Sequence, residues 1–196
     1  MLDEKGLNLA GWLSVVAAVL AFPSAVISFI SGMVEGKNTA LLYLDVILST
    51  ANVVVYVYIL IALKRLLNQK ASFHDVDNYI MFSVWLSIAI TTISIIALPF
   101  TEAQKIIGLG TLVLIIPFGI IYVVFGIKLL NCEDDLFGYL KPLSYLTIAT
   151  GFMTAVVVLM LLGMLTAMIS DVILALIFFK SAKLVQTQGS LANKQA

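Results

Sequence analysis

Cysteine and histidine are nearly missing from this 196-residue chain, which has one of each, Cys132 and His74. A single cysteine excludes an intrachain disulfide or a cysteine metal cluster, and a single histidine excludes bis-histidine haem ligation and two-histidine metal sites within one chain. Redox chemistry is not expected, and the sequence implies neither a cofactor nor a metal site. Charge is scarce as well. Only 11% of the residues are Asp, Glu, Lys or Arg, where soluble domains carry roughly a quarter. The eleven basic and eleven acidic residues cancel, so no polyanion-binding surface is implied and nucleic acid is not an expected partner. Catalytic signatures are also lacking: there is no Gly-x-Ser-x-Gly, no Walker phosphate loop and no His-Glu-x-x-His. The chain is not expected to be an enzyme.

What the chain has is apolar length. Hydrophobic residues make up 62% of it and the mean hydropathy is +1.11. Apolar runs long enough to cross roughly 30 Å of hydrocarbon, about 18 residues or more, recur from end to end. They predict an all-α integral membrane protein, with the lipid bilayer as its first partner. The amino end carries Asp3 and Glu4 beside Lys5 ahead of a long apolar stretch, a pattern that reads as an uncleaved first span rather than a signal peptide.

Six spans are predicted, at about residues 9–33, 41–63, 79–99, 106–130, 143–162 and 165–179. The last two are inferred from length. Residues 142–179 hold one charge, Asp171, and a straight helix of that length would measure about 57 Å, so the chain must turn back. Gly163 is the expected breaker. Basic residues then orient the bundle: nine (Lys5, Lys64, Arg65, Lys70, Lys128, Lys141, Lys180, Lys183 and Lys194) fall on the side of the termini, and only Lys37 and Lys105 on the other. The excess marks the cytoplasmic side. The expected architecture is a compact bundle of six transmembrane helices arranged as three outward-pointing hairpins, with both termini cytoplasmic. Residues 1–184 form a single transmembrane domain, and 185–196 a polar, flexible cytoplasmic tail. Ser72 or Asp75 is expected to cap the third span, Asp134 or Asp135 a short interfacial helix, and Pro142 to sit in the first turn of the fifth.

Polar residues inside the spans fall on single helical faces. Asp45, Ser49, Asn52 and Tyr56 form a stripe on the second span, Ser83, Ser87, Thr91 and Ser94 on the third, and Ser144, Thr147, Gly151 and Thr154 on the fifth. Such rows gain nothing against lipid and should point inward, as packing or as the lining of a polar interior. Asp171 stands out among them. It shares a face with Gly163, Ala167 and Ala175, and the nine residues to Lys180 amount to about 13 Å of helix rise, which sets it near the bilayer middle. A carboxyl there is a functional candidate as proton carrier, cation ligand or counter-charge, with a helix-locking hydrogen bond as the alternative. Asn52 is expected to face it at similar depth, and Asp45 lies shallower. The candidate ligand- or ion-binding set is Asp171, Asn52, Ser49, Asp45, Thr91 and Thr154, and Gly163, Ala167, Gly151 and Ala21 are the expected helix-packing positions. The expected function is binding or conduction of a small solute or cation through the polar interior. The alternative is a non-catalytic subunit of a larger membrane complex, packed against other chains or copies of itself.

Overall fold

In a computed structural model, residues 3–33, 39–99, 101–156 and 159–195 are described. Six α-helices account for nearly all of them: α1 Glu4–Met33, α2 Thr39–Leu66, α3 Asp77–Ile96, α4 Thr101–Leu130, α5 Leu140–Ala155 and α6 Met160–Gln195. There is no strand among the described residues. Helix is what long apolar sequence must form away from water, because it bonds every backbone N–H and C=O within the segment. All the helices except α5 are long and apolar enough to cross a membrane, over Glu4–Ile27, Tyr43–Ala71, Asp77–Ile96, Val113–Leu130 and Leu161–Gln188. Large apolar side chains cover the outside, which suits lipid and would be a liability in water. Trp12 is 63% exposed, Trp85 65% and Tyr145 64%. All three lie within the first nine residues of their helices, as interfacial aromatics do.

The helices form a closed ring in chain order. Each packs mainly on its neighbours in sequence, and α6 returns to α1. Neighbours are antiparallel. Tyr58 of α2 reaches the carbonyl of Gly6 at the start of α1, Thr150 of α5 bonds Thr166 of α6, and Trp12 meets Phe179 edge to face at 5.6 Å. Six antiparallel helices place the start of α1 and the end of α6 at the same end of the ring.

Among the described residues the contiguous hydrophobic core comprises Leu7 and Ala10, Ile59 to Leu67 at and just past the end of α2, Val76 to Val84, Phe125 to Cys132, Leu136 to Leu143, and Leu174 to Ala182. Every one of these lies in the half that holds the termini. Within it Ser181 is fully buried and its hydroxyl has no hydrogen-bond partner. Since an unpaired buried hydroxyl costs more than a methyl of similar size, Ser181→Ala is expected to raise stability by about 1 kcal/mol, read as a higher melting temperature in detergent.

The tightest seam joins α4 to α5. A Cβ added at Gly119 would stand 2.6 Å from the Gly151 carbonyl oxygen and the Ala155 nitrogen, and one at Gly151 would stand 2.6 Å from the Gly119 oxygen and the Val123 nitrogen. Gly126 meets Ser144 and Ile148 in the same way. Backbone lies on backbone here, which only glycine permits.

Two expectations are corrected. The turn between the last two helices is not at Gly163. α5 ends at Ala155, Val156 leaves the helical region (φ −92°, ψ 87°), and Gly163 lies inside α6, where a Cβ would meet Met153 and Thr154 of α5 at 3.2 to 3.4 Å. The β-branched run that begins at Val156 yields more readily than a glycine held against a neighbouring helix. As a result α5 has 16 residues, about 24 Å, short of a full crossing. Neither Ser72 nor Asp75 caps α3, which begins at Asp77 without a side-chain cap. Instead Asp77 ties the end of α2 to the start of α3, accepting from Asn68 Nδ2 at 3.0 Å and pairing with Lys64 at 3.6 Å and His74 at 3.4 Å. The polar tail from 185 continues α6 as helix to Gln195, because it contains no proline and a single glycine does not stop a helix already running.

The linker before α5 is built by its acidic residues. Asp134 accepts from the Leu136 N–H and Asp135 from the Lys141 N–H, both at 3.0 Å, holding a left-handed turn at Leu136, Phe137 and Gly138 (φ 37°, 67° and 82°). Among the described residues no group of His, Cys, Asp and Glu is placed to hold a metal. Cys132 is buried beside this turn, and burial, with smaller help from the neighbouring carboxylates, pushes its thiol up from the ordinary range. A raised value means less thiolate at any pH below it, and thiolate is the nucleophile. Alkylation of the folded protein by N-ethylmaleimide is therefore expected to run roughly tenfold slower than in denaturant, and to keep accelerating with pH across the alkaline range.

Candidate functional site

Inside the ring, bordered by core residues such as Leu63 and Leu174, lies a cavity of about 160 Å³. α2 contributes Tyr56 and the apolar residues below it, α4 contributes Tyr122 and Phe125, α5 contributes Thr147 and Thr150, and α6 contributes Ala167, Ser170 and Asp171. The floor is apolar, formed by Ile59, Leu63, Leu143 and Leu174. Helical periodicity selects these residues: 147 and 150 share one face of α5, and 167, 170, 171 and 174 share one face of α6.

The hydroxyls in this wall are mostly spent on their own helices. Thr147 donates to the Leu143 carbonyl at 2.8 Å and Ser170 to the Thr166 carbonyl at 2.9 Å. Thr166 donates to the Gly163 carbonyl at 2.8 Å, so the proton in the 2.8 Å Thr150–Thr166 contact comes from Thr150. What these side chains still offer is oxygen lone pairs. Tyr56 and Tyr122 form a 2.6 Å hydrogen bond across the ring, with Tyr122 also against the rings of Phe118 at 5.1 Å and Phe125 at 6.5 Å. The far side of this pair faces α3, where Ser83 and Ile80 line a smaller gap with the same two tyrosines.

Asp171 is the one ionisable carboxyl of the cavity wall. It is half-buried, and among the described residues its carboxyl has no hydrogen-bond or ion-pair partner. The helix-locking alternative therefore lacks the bond that would do the locking. A carboxyl beside acceptor oxygens, aromatic rings and aliphatic walls is complementary to a group that donates hydrogen bonds or carries positive charge.

The other sequence candidates are dispersed. Asn52 does not meet Asp171. Its amide donates to Ser24 Oγ of α1 at 2.8 Å, and Ser24 in turn donates to the Leu20 carbonyl at 2.6 Å. With its proton committed to Leu20, the Ser24 oxygen is a ready acceptor, and Asn52 serves as a bond between α1 and α2. Ser49 is exposed, while Asp45 is half-buried near the start of α2. Thr91 lines a separate cleft between α2, α3 and α4, with Ser87, Val53 and Phe118. Thr154 sits against Gly163 at the α5–α6 seam, Gly151 lies in the α4–α5 seam, Ala167 lines the cavity and Ala21 is half-buried in α1. Pro23 and Pro117 are exposed on the outside of α1 and α4. The carbonyls they free, at Val19 and Val113, lie on outward faces too and contribute nothing to the cavity.

Sequence reasoning missed Phe125, and weighed Tyr56 and Tyr122 as hydroxyl contributors but read them as packing or interfacial anchors, outside the candidate set. The available signal was weak: one polar hydroxyl in each of two nonadjacent helices. Compared with known protein families, curated proteins and solved structures, the chain matches none, so the functional reading rests on its own residues.

Proposed function

We propose that this is a six-span membrane protein with both termini cytoplasmic that binds a small monovalent cation at Asp171, as a step in moving it through the helix ring. One observation carries the reading: a carboxyl about midway through an apolar bundle, without a hydrogen-bond or ion-pair partner among the described residues, lines a cavity whose serine and threonine hydroxyl protons are already taken. Ionisable groups at that depth are costly and are kept where they serve a pathway or a ligand. The nine-to-two distribution of basic residues supports the orientation.

Uptake of radiolabelled methylammonium into proteoliposomes tests this. Wild-type protein is expected to raise uptake above that of empty vesicles, and Asp171→Asn to return it to the empty-vesicle rate. Equal uptake by the two proteins would refute a role for the carboxyl.

A second reading, a non-catalytic subunit of a membrane complex or homo-oligomer, draws on a wholly apolar groove between α1 and α6, about 380 Å³ in volume and lined by Phe22, Ala25, Val26, Leu161, Met164 and Leu165. Native mass measurement after gentle detergent extraction separates the two, since a subunit retains stoichiometric companions.

A further inference from the structure

The Asp171 cavity is selective in what kind of cation it can hold. We propose that its ligand is a small organic ammonium, a protonated primary amine whose charged head rests on Asp171 and whose hydrocarbon body lies against Tyr56, Tyr122 and Phe125; this rests on the reading that Asp171 binds a cation.

Charge limits the ligand first. The cavity wall carries a single carboxyl and no second charged side chain, so it neutralises one positive charge. A divalent ion would keep an uncompensated charge in apolar surroundings, and such ions require six or more oxygen ligands. Donor chemistry limits it next. The oxygens of Asp171, Thr147 and Ser170 are acceptors, two of the three having spent their own protons on helix carbonyls. A primary ammonium brings three N–H donors to such a set. A bare alkali ion, by contrast, would lose its hydration shell and meet mostly hydrocarbon, since Ile59, Leu60, Leu63, Leu143 and Leu174 complete the wall.

The rings and the volume fix the body of the ligand. Tyr122 is wedged between Phe118, Phe125 and the Tyr56 hydroxyl, giving a rigid aromatic side to the cavity. Aromatic faces attract cations and pack against alkyl groups. A cavity of 160 Å³ holds about five water-sized groups, the size of an ammonium with a chain of about four carbons.

Equilibrium binding to purified full-length protein in nanodiscs, with n-butylammonium, methylammonium, tetramethylammonium and rubidium as probes, tests the proposal. n-Butylammonium is expected to bind at least about tenfold more tightly than methylammonium or rubidium. Tetramethylammonium, which has charge but no N–H donor, is expected to bind more weakly than n-butylammonium. Phe125→Leu is expected to narrow the gap between n-butylammonium and methylammonium, and Asp171→Asn to abolish binding of both while the protein stays monodisperse. If rubidium and methylammonium bind through Asp171 and n-butylammonium neither binds nor competes, the organic-ammonium proposal is wrong and the cation site stands. If no probe binds in an Asp171-dependent way, both fail. Should Asp171→Asn not fold, the order of the four probes on the wild-type protein still decides the ligand class.

Discussion

Replacing Asp171 by asparagine is expected to weaken binding of a small ammonium by about 100-fold or more, with little loss of stability. The substitution keeps the shape of the side chain and removes its charge. A charge-assisted hydrogen bond to a cation is worth about twice a neutral one, and in a cavity walled by Leu and Ile the Coulomb attraction is screened far less than in water. The protein itself should tolerate the change, because no hydrogen bond or ion pair to Asp171 exists among the described residues to be broken. Asp45→Asn is the informative companion. Asp45 lies near the start of α2 and is absent from the cavity wall, so binding should be unchanged. Titration of both variants with n-butylammonium, alongside their melting curves, reads affinity and stability separately. A large fall in melting temperature for Asp171→Asn would instead reveal a structural carboxyl.

Gly151→Val is expected to have the largest effect on the fold. Its first side-chain carbon would lie 2.6 Å from two backbone atoms of α4, and neither is the end of a flexible chain that can turn aside. α4 and α5 would have to separate, and with them Tyr122 and Thr147, which line the cavity from those helices. Overpacking of this kind costs about 3 kcal/mol, enough to show as aggregation on extraction or a clearly lower melting temperature. Gly163→Ala should cost much less, since its contacts begin at 3.2 Å and involve side chains. Gly110→Val should be neutral, with nothing within 4 Å of the added carbon. The order Gly151, Gly163, Gly110 is the prediction; an equal loss for the two valine variants, at Gly151 and Gly110, would mean that valine's poor fit to helices, not the α4–α5 seam, sets the cost.

Much of the architecture was legible because hydrocarbon imposes length. Apolar runs located all six helices, and Pro142 falls in the first turn of α5 as expected, whereas Asp135 gives the short helix before it no side-chain cap. The turn before α6 was misplaced because glycine has two uses in a membrane, as breaker and as contact, and Gly163 serves the second. Asp171 was legible as the exceptional residue of the last helix, since no other charge falls between Lys141 and Lys180. Its surroundings were not. In a soluble helix the apolar stripe names the inward face, but here both lipid and core accept Leu, Val and Ile, so the faces of α2 and α4 that meet across the ring carry no pattern. That is why Asn52 was placed in the candidate set and Tyr122 was not. The closure of α6 on α1 was equally hidden, because hairpins follow from short linkers but a contact between first and last helices follows from none.

The most direct measurement is a high-resolution density map of the protein in lipid nanodiscs saturated with n-butylammonium. Ligand density is expected inside the ring, with its nitrogen about 2.8 Å from an Asp171 carboxylate oxygen and its chain against Tyr122 and Phe125. A map in which helix side chains close that space, or in which the Asp171 carboxyl is bonded to a neighbouring helix and no ligand enters, would contradict it.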